Sequence, residues 1–176
     1  MVITMKGNVI VDKCRSCDSR NLKLILSLGN QCVTNFVESS GSEVRCPLNL
    51  ILCIDCKLLQ LEHNAPPESM WSDQYWYKSG ISTTIKADLK NIADKSTKLV
   101  DIKDDDIAID IGANDGTLMN FYNKGRVVGF EPSKNVAAEA ESKGLKIIND
   151  FFNEESFKKE FGDKKAKLIT AISMFY

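Results

Sequence analysis

Two Cys-x-x-Cys pairs, Cys14-Arg-Ser-Cys17 and Cys53-Ile-Asp-Cys56, stand 35 residues apart near the start of the chain, and no other feature restricts its fold as tightly. Each pair can turn two thiolates toward one point, and two such turns complete the tetrahedral four-sulfur set that Zn²⁺ prefers. Disulfides or redox chemistry are the alternatives. A thioredoxin-like motif is a single Cys-x-x-Cys at the end of a strand opening a helix within a βαβ pattern, and neither pair has that setting. With all four thiolates on one ion, no coordination position remains for a substrate water. Cys14, Cys17, Cys53 and Cys56 are therefore expected to hold one structural zinc and not a catalytic one. Cys32 and Cys46 stand alone and are expected to be small buried or half-buried thiols.

The surrounding sequence needs such a staple. Between residues 12 and 64 only short strand-like runs occur, Leu22 to Leu28, Val33 to Val37, Leu48 to Cys53 and Leu58 to Leu61. Turn material such as Gly29-Asn30 and Glu38-Ser39-Ser40-Gly41-Ser42 separates them. A unit of this size built from short strands buries too little apolar surface to stand comfortably alone, and metal ligation supplies the difference. A zinc-ribbon-like domain over residues 1–65 is the expectation. By itself it could bind nucleic acid or protein. The chain's 23 basic against 24 acidic residues and its aromatic content of 8% argue against nucleic acid and against an anionic membrane surface. Apolar residues at 43% and charged residues at 27% describe an ordinary globular chain. No apolar run reaches the length of a membrane span, and Met1 to Val11 lacks the pattern of a signal peptide, so a cytoplasmic location is expected.

The character changes at Pro66-Pro67. Residues 66–104 hold an aromatic cluster, Trp71, Tyr75, Trp76 and Tyr77, then Lys78-Ser79-Gly80-Ile81-Ser82. Next come Ile85, Leu89, Ile92, Ala93, Ser96, Leu99 and Val100 at helical spacing. That spacing predicts one amphipathic helix over Thr83 to Val100. The aromatics are either filling between two domains or a lid over a ligand, with Tyr75 and Ser79 as candidate lid or substrate contacts and His63 left as a loop residue.

Residues 105–176 alternate strand, turn and helix: strands at Ile107–Ile111, Val127–Phe130, Lys146–Ile148 and Leu168–Ser173, helices at Gly116–Tyr122, Lys134–Ser142 and Glu154–Phe161. Repeated βα units with short connections imply an α/β domain, a doubly wound parallel sheet whose ligand sits at the carboxyl ends of the strands. The first βα turn is Asp110-Ile-Gly112-Ala-Asn114-Asp115-Gly116, where glycines let the backbone approach a ligand. A dinucleotide fingerprint would place glycines at 112, 114 and 117. Here those positions hold Gly, Asn and Thr, which disfavours NAD and FAD. Glu131, 19 residues after Gly112, ends the second strand where a carboxylate can accept ribose hydroxyls. After the third strand, Asp150 offers an acceptor to an adenine amino group, and Phe151-Phe152 offers an apolar face to its ring. The Asp-x-Gly-x-Asn-x-Gly turn resembles motif I of class I S-adenosylmethionine-dependent methyltransferases. A ligand-free domain in which Glu131 merely caps the helix near Ser133 is the alternative.

Taken together, five stretches resemble one family. They are Cys14-Arg-Ser-Cys17; Cys46-Pro47-Leu48 with Cys53-Ile-Asp-Cys56-Lys-Leu-Leu-Gln60-Leu61; Tyr75-Trp-Tyr77-Lys-Ser79-Gly80-Ile-Ser82; Asp110-Ile-Gly-Ala-Asn-Asp-Gly116; and Gly129-Phe-Glu-Pro-Ser133. The family is the sugar C-methyltransferases, which act on nucleotide-linked 4-keto-deoxyhexoses and carry a zinc domain ahead of a Rossmann-like S-adenosylmethionine domain. The resemblance implies S-adenosylmethionine held by Asp110, Gly112, Asn114, Gly116, Glu131, Asp150, Phe151 and Tyr77, and a nucleotide-sugar acceptor. It also implies that members are longer. The expectation is then a truncated chain that holds part of the cofactor domain, is inactive as a fragment, lacks its catalytic base and self-associates through the open edge of its fourth strand. The ending Ser173-Met174-Phe175-Tyr176 departs from the family's pattern. A methyltransferase with a non-sugar acceptor, or a zinc interaction module fused to a non-catalytic nucleotide-binding domain, remains open at this stage.

Overall fold

Short antiparallel strands carry both Cys-x-x-Cys turns. The computed structural model describes residues 9–33, 44–71 and 75–174, and the chain divides into two compact units, Met1–Trp71 and Ser72–Tyr176. In the first, β1 (Val9–Ile10), β2 (Leu22–Cys32), β3 (Arg45–Cys53), β4 (Leu59–Leu61) and β5 (His63–Asn64) precede a single helical turn, α1 (Pro67–Met70). β3 lies between β2 and β4, antiparallel to both, while β1 and β5 form a separate ribbon.

Two sequence expectations change here. Gly29-Asn30, read as a turn, is absorbed into β2. Ser27 faces Asn49 and Asn30 faces Pro47, so three steps on β2 oppose two on β3. The extra residue forms a bulge that Gly29 accommodates at φ +66°. β3 in turn begins at Arg45 and includes Pro47. β4 pairs with Leu50–Leu52, so among the described residues no strand flanks β3 at Pro47 on that side, where a missing N–H is tolerated. The expected strand Val33–Val37 lies, after Val33, outside the described residues. Cys32 is exposed, against expectation, because it ends the outer strand β2, whereas Cys46 is buried. His63 sits in β5, not in a loop, with its side chain mostly buried.

The apolar core of this unit is small. Among the described residues its buried hydrophobic side chains are Cys14, Cys46, Ile51 and Cys53, while Leu24, Ile25, Leu26 and Leu28 of β2 are about half exposed. So little buried surface leaves the cross-link between the cysteine turns as the main stabilising element.

In the second unit a 3₁₀ turn (Ser79–Ile81) leads into α2 (Thr83–Val100), followed by β6 (Ile107–Ile111), β7 (Arg126–Phe130), α3 (Lys134–Ser142), β8 (Ile147–Ile148), α4 (Glu154–Phe161) and β9 (Leu168–Ala171). The Ser82 hydroxyl caps α2 by accepting from the N–H of Ile85, and Asp101 ends it in the left-handed region. The four strands are parallel in the order β8-β7-β6-β9. Ile107, Ile109, Val128 and Phe130 point one way, onto Phe157 and Phe161 of α4. On the other face Ala108 and Val127 meet Ile102 and Tyr122, and Ala137 and Ala140 of α3 pack on Ala113, Met119 and Ile147. Helices on both faces make the sheet doubly wound, as expected, in a Rossmann-like order.

The expected helix Gly116–Tyr122 is instead a short 3₁₀ turn, Met119–Phe121. Few residues separate Gly116 from β7, and Gly125 already reverses the chain at φ +84°. A single tight turn makes the connection, and it buries Leu118 and Met119 without a full helix. β9 likewise ends before Ser173, whose φ of +56° breaks the extended run. Among the described residues no helix is long and apolar enough to cross a membrane.

Candidate functional site

The four cysteines predicted as ligands converge. Their sulfurs all lie within 4.8 Å of one another, with Cys14 Sγ to Cys56 Sγ at 3.4 Å and Cys17 Sγ to Cys53 Sγ at 3.7 Å. A tetrahedral zinc with Zn–S bonds near 2.3 Å sets its sulfurs about 3.8 Å apart, so the cluster has the right size for the ion and is far too open for disulfides. Backbone N–H groups prepare the thiolates. Ser16 N–H points at Cys14 Sγ and Cys56 N–H at Cys53 Sγ. The Cys56 N–H is the main reason the Cys53 thiol falls to about 6, and the Ser16 N–H lowers that of Cys14. Gln60 supports the first turn from β4. Its Oε1 accepts from Arg15 N–H at 2.9 Å and its Nε2 donates to the Lys13 carbonyl at 3.3 Å. Asp55, in the second turn, accepts from Ser19 Oγ and Asn21 Nδ2 beside the first.

The second unit has its own centre at the carboxyl ends of β6 and β9. The chain steps outward from β6 to β7 to β8, then returns through α4 to β9 on the other side of β6. The strand order therefore reverses between β6 and β9, and a crevice opens at such a point. A cavity of about 270 Å³ occupies it, bounded by Asp110 of β6, Gly112 and Ala113 just after it, Ile172 and Ser173 after β9, and Leu89 of α2. Asp110 is 3% exposed and accepts from Thr170 Oγ1 at 2.9 Å. Burial pushes its carboxyl up to about 7. Gly112 takes φ +69°, and a Cβ there would run into the Met174 side chain. Gly116, at φ +75°, is instead packed against Leu145 and Ala140.

Asn114 and Asp115 tie the segment 75–81 to this turn. Asn114 Nδ2 donates to the Tyr77 carbonyl and Asn114 Oδ1 accepts from Ser79 N–H, each at 2.9 Å. Asp115 Oδ2 accepts from Gly80 N–H at 3.0 Å, while its Oδ1 takes both the N–H and the hydroxyl of Thr117. Lys78 pairs with Glu139 of α3 at 2.6 Å, and Asn135 Nδ2 donates to the Tyr75 carbonyl. The segment is thus a strap across the turn. Tyr77 lines the cavity and carries Trp76 edge-on at 6.2 Å. Trp71, grouped with these aromatics in the sequence, belongs to the first unit, where its N–H closes α1 on the Pro67 carbonyl.

Glu131, at the end of β7, is 4% exposed. Its Oε2 accepts from Asn114 N–H at 2.9 Å and its Oε1 from Ser133 N–H at 2.8 Å. Two of roughly four lone-pair positions on the carboxylate are then used. Beside it the Ser133 hydroxyl is buried without a hydrogen-bond partner among the described residues. Asp150 organises the start of α4. Oδ2 accepts from Ser156 Oγ and Asn153 Nδ2, and Oδ1 accepts from Phe151 N–H at 2.8 Å. The Ser156 hydroxyl is the main reason its carboxyl lies below the ordinary range. Phe152 packs edge-on against Phe130 at 5.0 Å, and Phe151 is exposed.

Comparison with known proteins joins the two units. A zinc binding domain family of methyltransferases matches residues 14–71, which contain all four ligands and Gln60. C-methyltransferase NovU of Streptomyces niveus is 24% identical over 151 residues, which is 82% of this chain and 36% of that relative. The chain is thus similar in its first unit to a zinc binding domain of methyltransferases and, over most of its length, to a C-methyltransferase. It spans about a third of the length of the relative it matches.

The chain gathers Tyr77, Asn114, Gly112, Asp110 and Glu131 around one turn, and keeps Asp150 and Phe151 at a separate strand end. Gln60 and Asp115 escaped attention in the sequence. Their signal was positional, Gln60 between the second cysteine turn and β5, and Asp115 directly before the second glycine of the Gly112–Gly116 turn. Asp88 of α2 also reaches the cavity and had no signal in its own helix beyond being a charge.

Proposed function

We propose that this chain is part of a C-methyltransferase that uses S-adenosylmethionine and methylates a carbon of a nucleotide-linked 4-keto-deoxysugar. The observation that carries the cofactor is the cavity at the β6–β9 switch point, closed on one side by the Gly112 turn and on another by Asp110. The residues fit the group. A buried carboxylate stands at the end of β7 with lone pairs left for ribose hydroxyls, and an unpaired Ser133 hydroxyl is beside it. Asp150 Oδ1 retains one lone pair for an adenine amino group. Bound there, S-adenosylmethionine supplies an electrophilic methyl group.

The chain's own contribution is binding, orientation and exclusion of water. The Gly112 turn and Asp110 receive the amino-acid end, Glu131 the ribose, and the strap residues Tyr75, Tyr77 and Ser79 cover the opening. The acceptor carbon sits beside a ketone, which acidifies its C–H so that an enolate can attack the methyl group. Four thiolates leave the zinc no open position, so its role is to hold the first unit together.

Incubation of a zinc-loaded full-length version of the protein with methyl-labelled cofactor and a nucleotide-linked 4-keto-deoxysugar in heavy water tests the acceptor. The expected product carries one labelled methyl on carbon, with solvent deuterium at the exchanging position of unreacted sugar. Label transferred to another class of acceptor, with the sugar untouched, contradicts the sugar reading and keeps the methyltransferase.

A further inference from the structure

The described lining of the β6–β9 cavity contains two carboxylates, Asp88 and Asp110, and no Lys, Arg or His. Asp110 is fixed within the protein by Thr170. Asp88 is not. On α2 the residues three and four positions away are Thr84, Ile85, Asn91 and Ile92, so Asp88 lacks the helical ion pair that Lys90 and Asp94 make at 2.5 Å. No ion pair or hydrogen bond from another described element reaches it either. It stands on the same side of α2 as Ile85, Leu89 and Ile92, the side that bounds the cavity. The result is an unpaired carboxylate at the rim of a largely apolar pocket, opposite the Gly112 turn.

A pocket with two carboxylates and no cation of its own disfavours anions and favours a cationic group. The cofactor proposed above carries one at its amino-acid end, the α-ammonium, and that is the end the glycine turn receives. We infer that Asp88 is a binding residue for this ammonium, anchoring the amino-acid end of the cofactor from α2 while the Gly112 turn holds it from β6. The inference rests on the methyltransferase reading and adds to it a contact from a helix that precedes the Rossmann-like sheet. It also gives α2 a reason to be packed across the switch point, since Asp88 reaches the cavity only while Leu89 and Ala93 stay buried against Leu118.

Calorimetric titration of three ligands into the zinc-loaded protein tests it: S-adenosylmethionine, S-adenosylhomocysteine, and 5′-methylthioadenosine, which lacks the amino-acid end. Asp88→Asn is expected to weaken the first two by about tenfold and to leave the third unchanged, with Asp88→Glu restoring most of the loss. Asp94→Asn, on the same helix and paired to Lys90, is the control and should change none. Asp88 is exposed, so the variant's circular dichroism should match the parent. Equal losses for all three ligands, or no loss for any, overturns the inference while the methyltransferase reading stands. A parent protein that binds none of the three overturns both.

Discussion

Asn114 holds Tyr77 by its backbone. The amide Nδ2 donates to the Tyr77 carbonyl while Oδ1 of the same side chain accepts from Ser79 N–H, so one side chain imitates a strand partner for the strap. Asn114 can do so because its own backbone lies in the left-handed region, φ +53°, which asparagine tolerates better than most residues. Its N–H meanwhile donates to Glu131. A single residue therefore links the strap, the glycine turn and the acid at the end of β7.

Replacing Asn114 should release the strap before it unfolds the sheet. Asn114→Ala removes two hydrogen bonds to half-buried backbone and places alanine at positive φ, a combined cost of about 2–3 kcal/mol. The expected outcome is a lower melting temperature, with new proteolytic cleavage within residues 75–81 and altered emission from Trp76. A variant with parental protease resistance in that segment would mean that Asp115, Lys78–Glu139 and Asn135 hold the strap without Asn114.

Gly80 is a packing glycine. A Cβ there would strike Asp115 Oδ2 and lie 2.8 Å from Thr117 Oγ1, displacing the carboxylate that accepts from its own N–H. Gly80→Ala is expected to cost on the order of 1–3 kcal/mol, read from denaturant midpoints. Combining it with Asp115→Ala should recover part of the loss, because the closer of the two clashes is then gone.

Asp110 makes the second unit sensitive to pH. Its carboxyl is raised to about 7 in the folded chain, while in the unfolded chain it ionises near the ordinary aspartate value. Between roughly pH 4 and 7 the folded state keeps a proton that the unfolded state has lost, so stability falls as pH rises through this window. Above it the folded protein carries the buried charge. Asp110→Asn should therefore raise the melting temperature at pH 8 and change it little at pH 4. A variant less stable than the parent at pH 8 would show that the ionised group is favourable where it sits.

The zinc site should control the first unit. With Ile51 the only buried hydrophobic residue there besides cysteines, among those described, loss of the ion leaves little to hold the strands. Cys17→Ser or a strong chelator is expected to abolish one metal per chain and to melt β2–β4, seen as loss of amide protection across β3 by hydrogen exchange. Protection that survives complete metal removal would show that the strands stand on their own.

Much of this was readable from residues close in sequence. The cap at Ser82 and the 3.6-residue spacing delimit α2, and the short apolar runs Ile107–Ile109 and Val127–Phe130 mark β6 and β7 as strands buried on both faces. The paired cysteines announced the metal. What escaped depends on distant partners or on competition between local options. Gly29-Asn30 suits a bulge as well as a turn, and only pairing with Asn49 and Pro47 decides. The segment after Gly116 reads as the start of a helix, but it closes as the 3₁₀ turn Met119–Phe121, and Gly125 reverses the chain before β7. Asn114 looks like a ligand contact in its motif, yet its side chain serves a strap 37 residues earlier. Asp150 lies beside Asn153 and Ser156, whose side chains take up its carboxylate in competition with any ligand.

The most direct measurement is titration of S-adenosylmethionine into the protein by calorimetry, with metal content determined on the same sample and Glu131→Ala beside it. The account predicts saturable one-site binding, about one zinc per chain by the four-thiolate geometry, and a sharp loss of affinity in the variant with its sheet intact by circular dichroism. A folded, zinc-loaded protein that binds no S-adenosylmethionine would contradict it and leave a zinc-stapled interaction protein in its place.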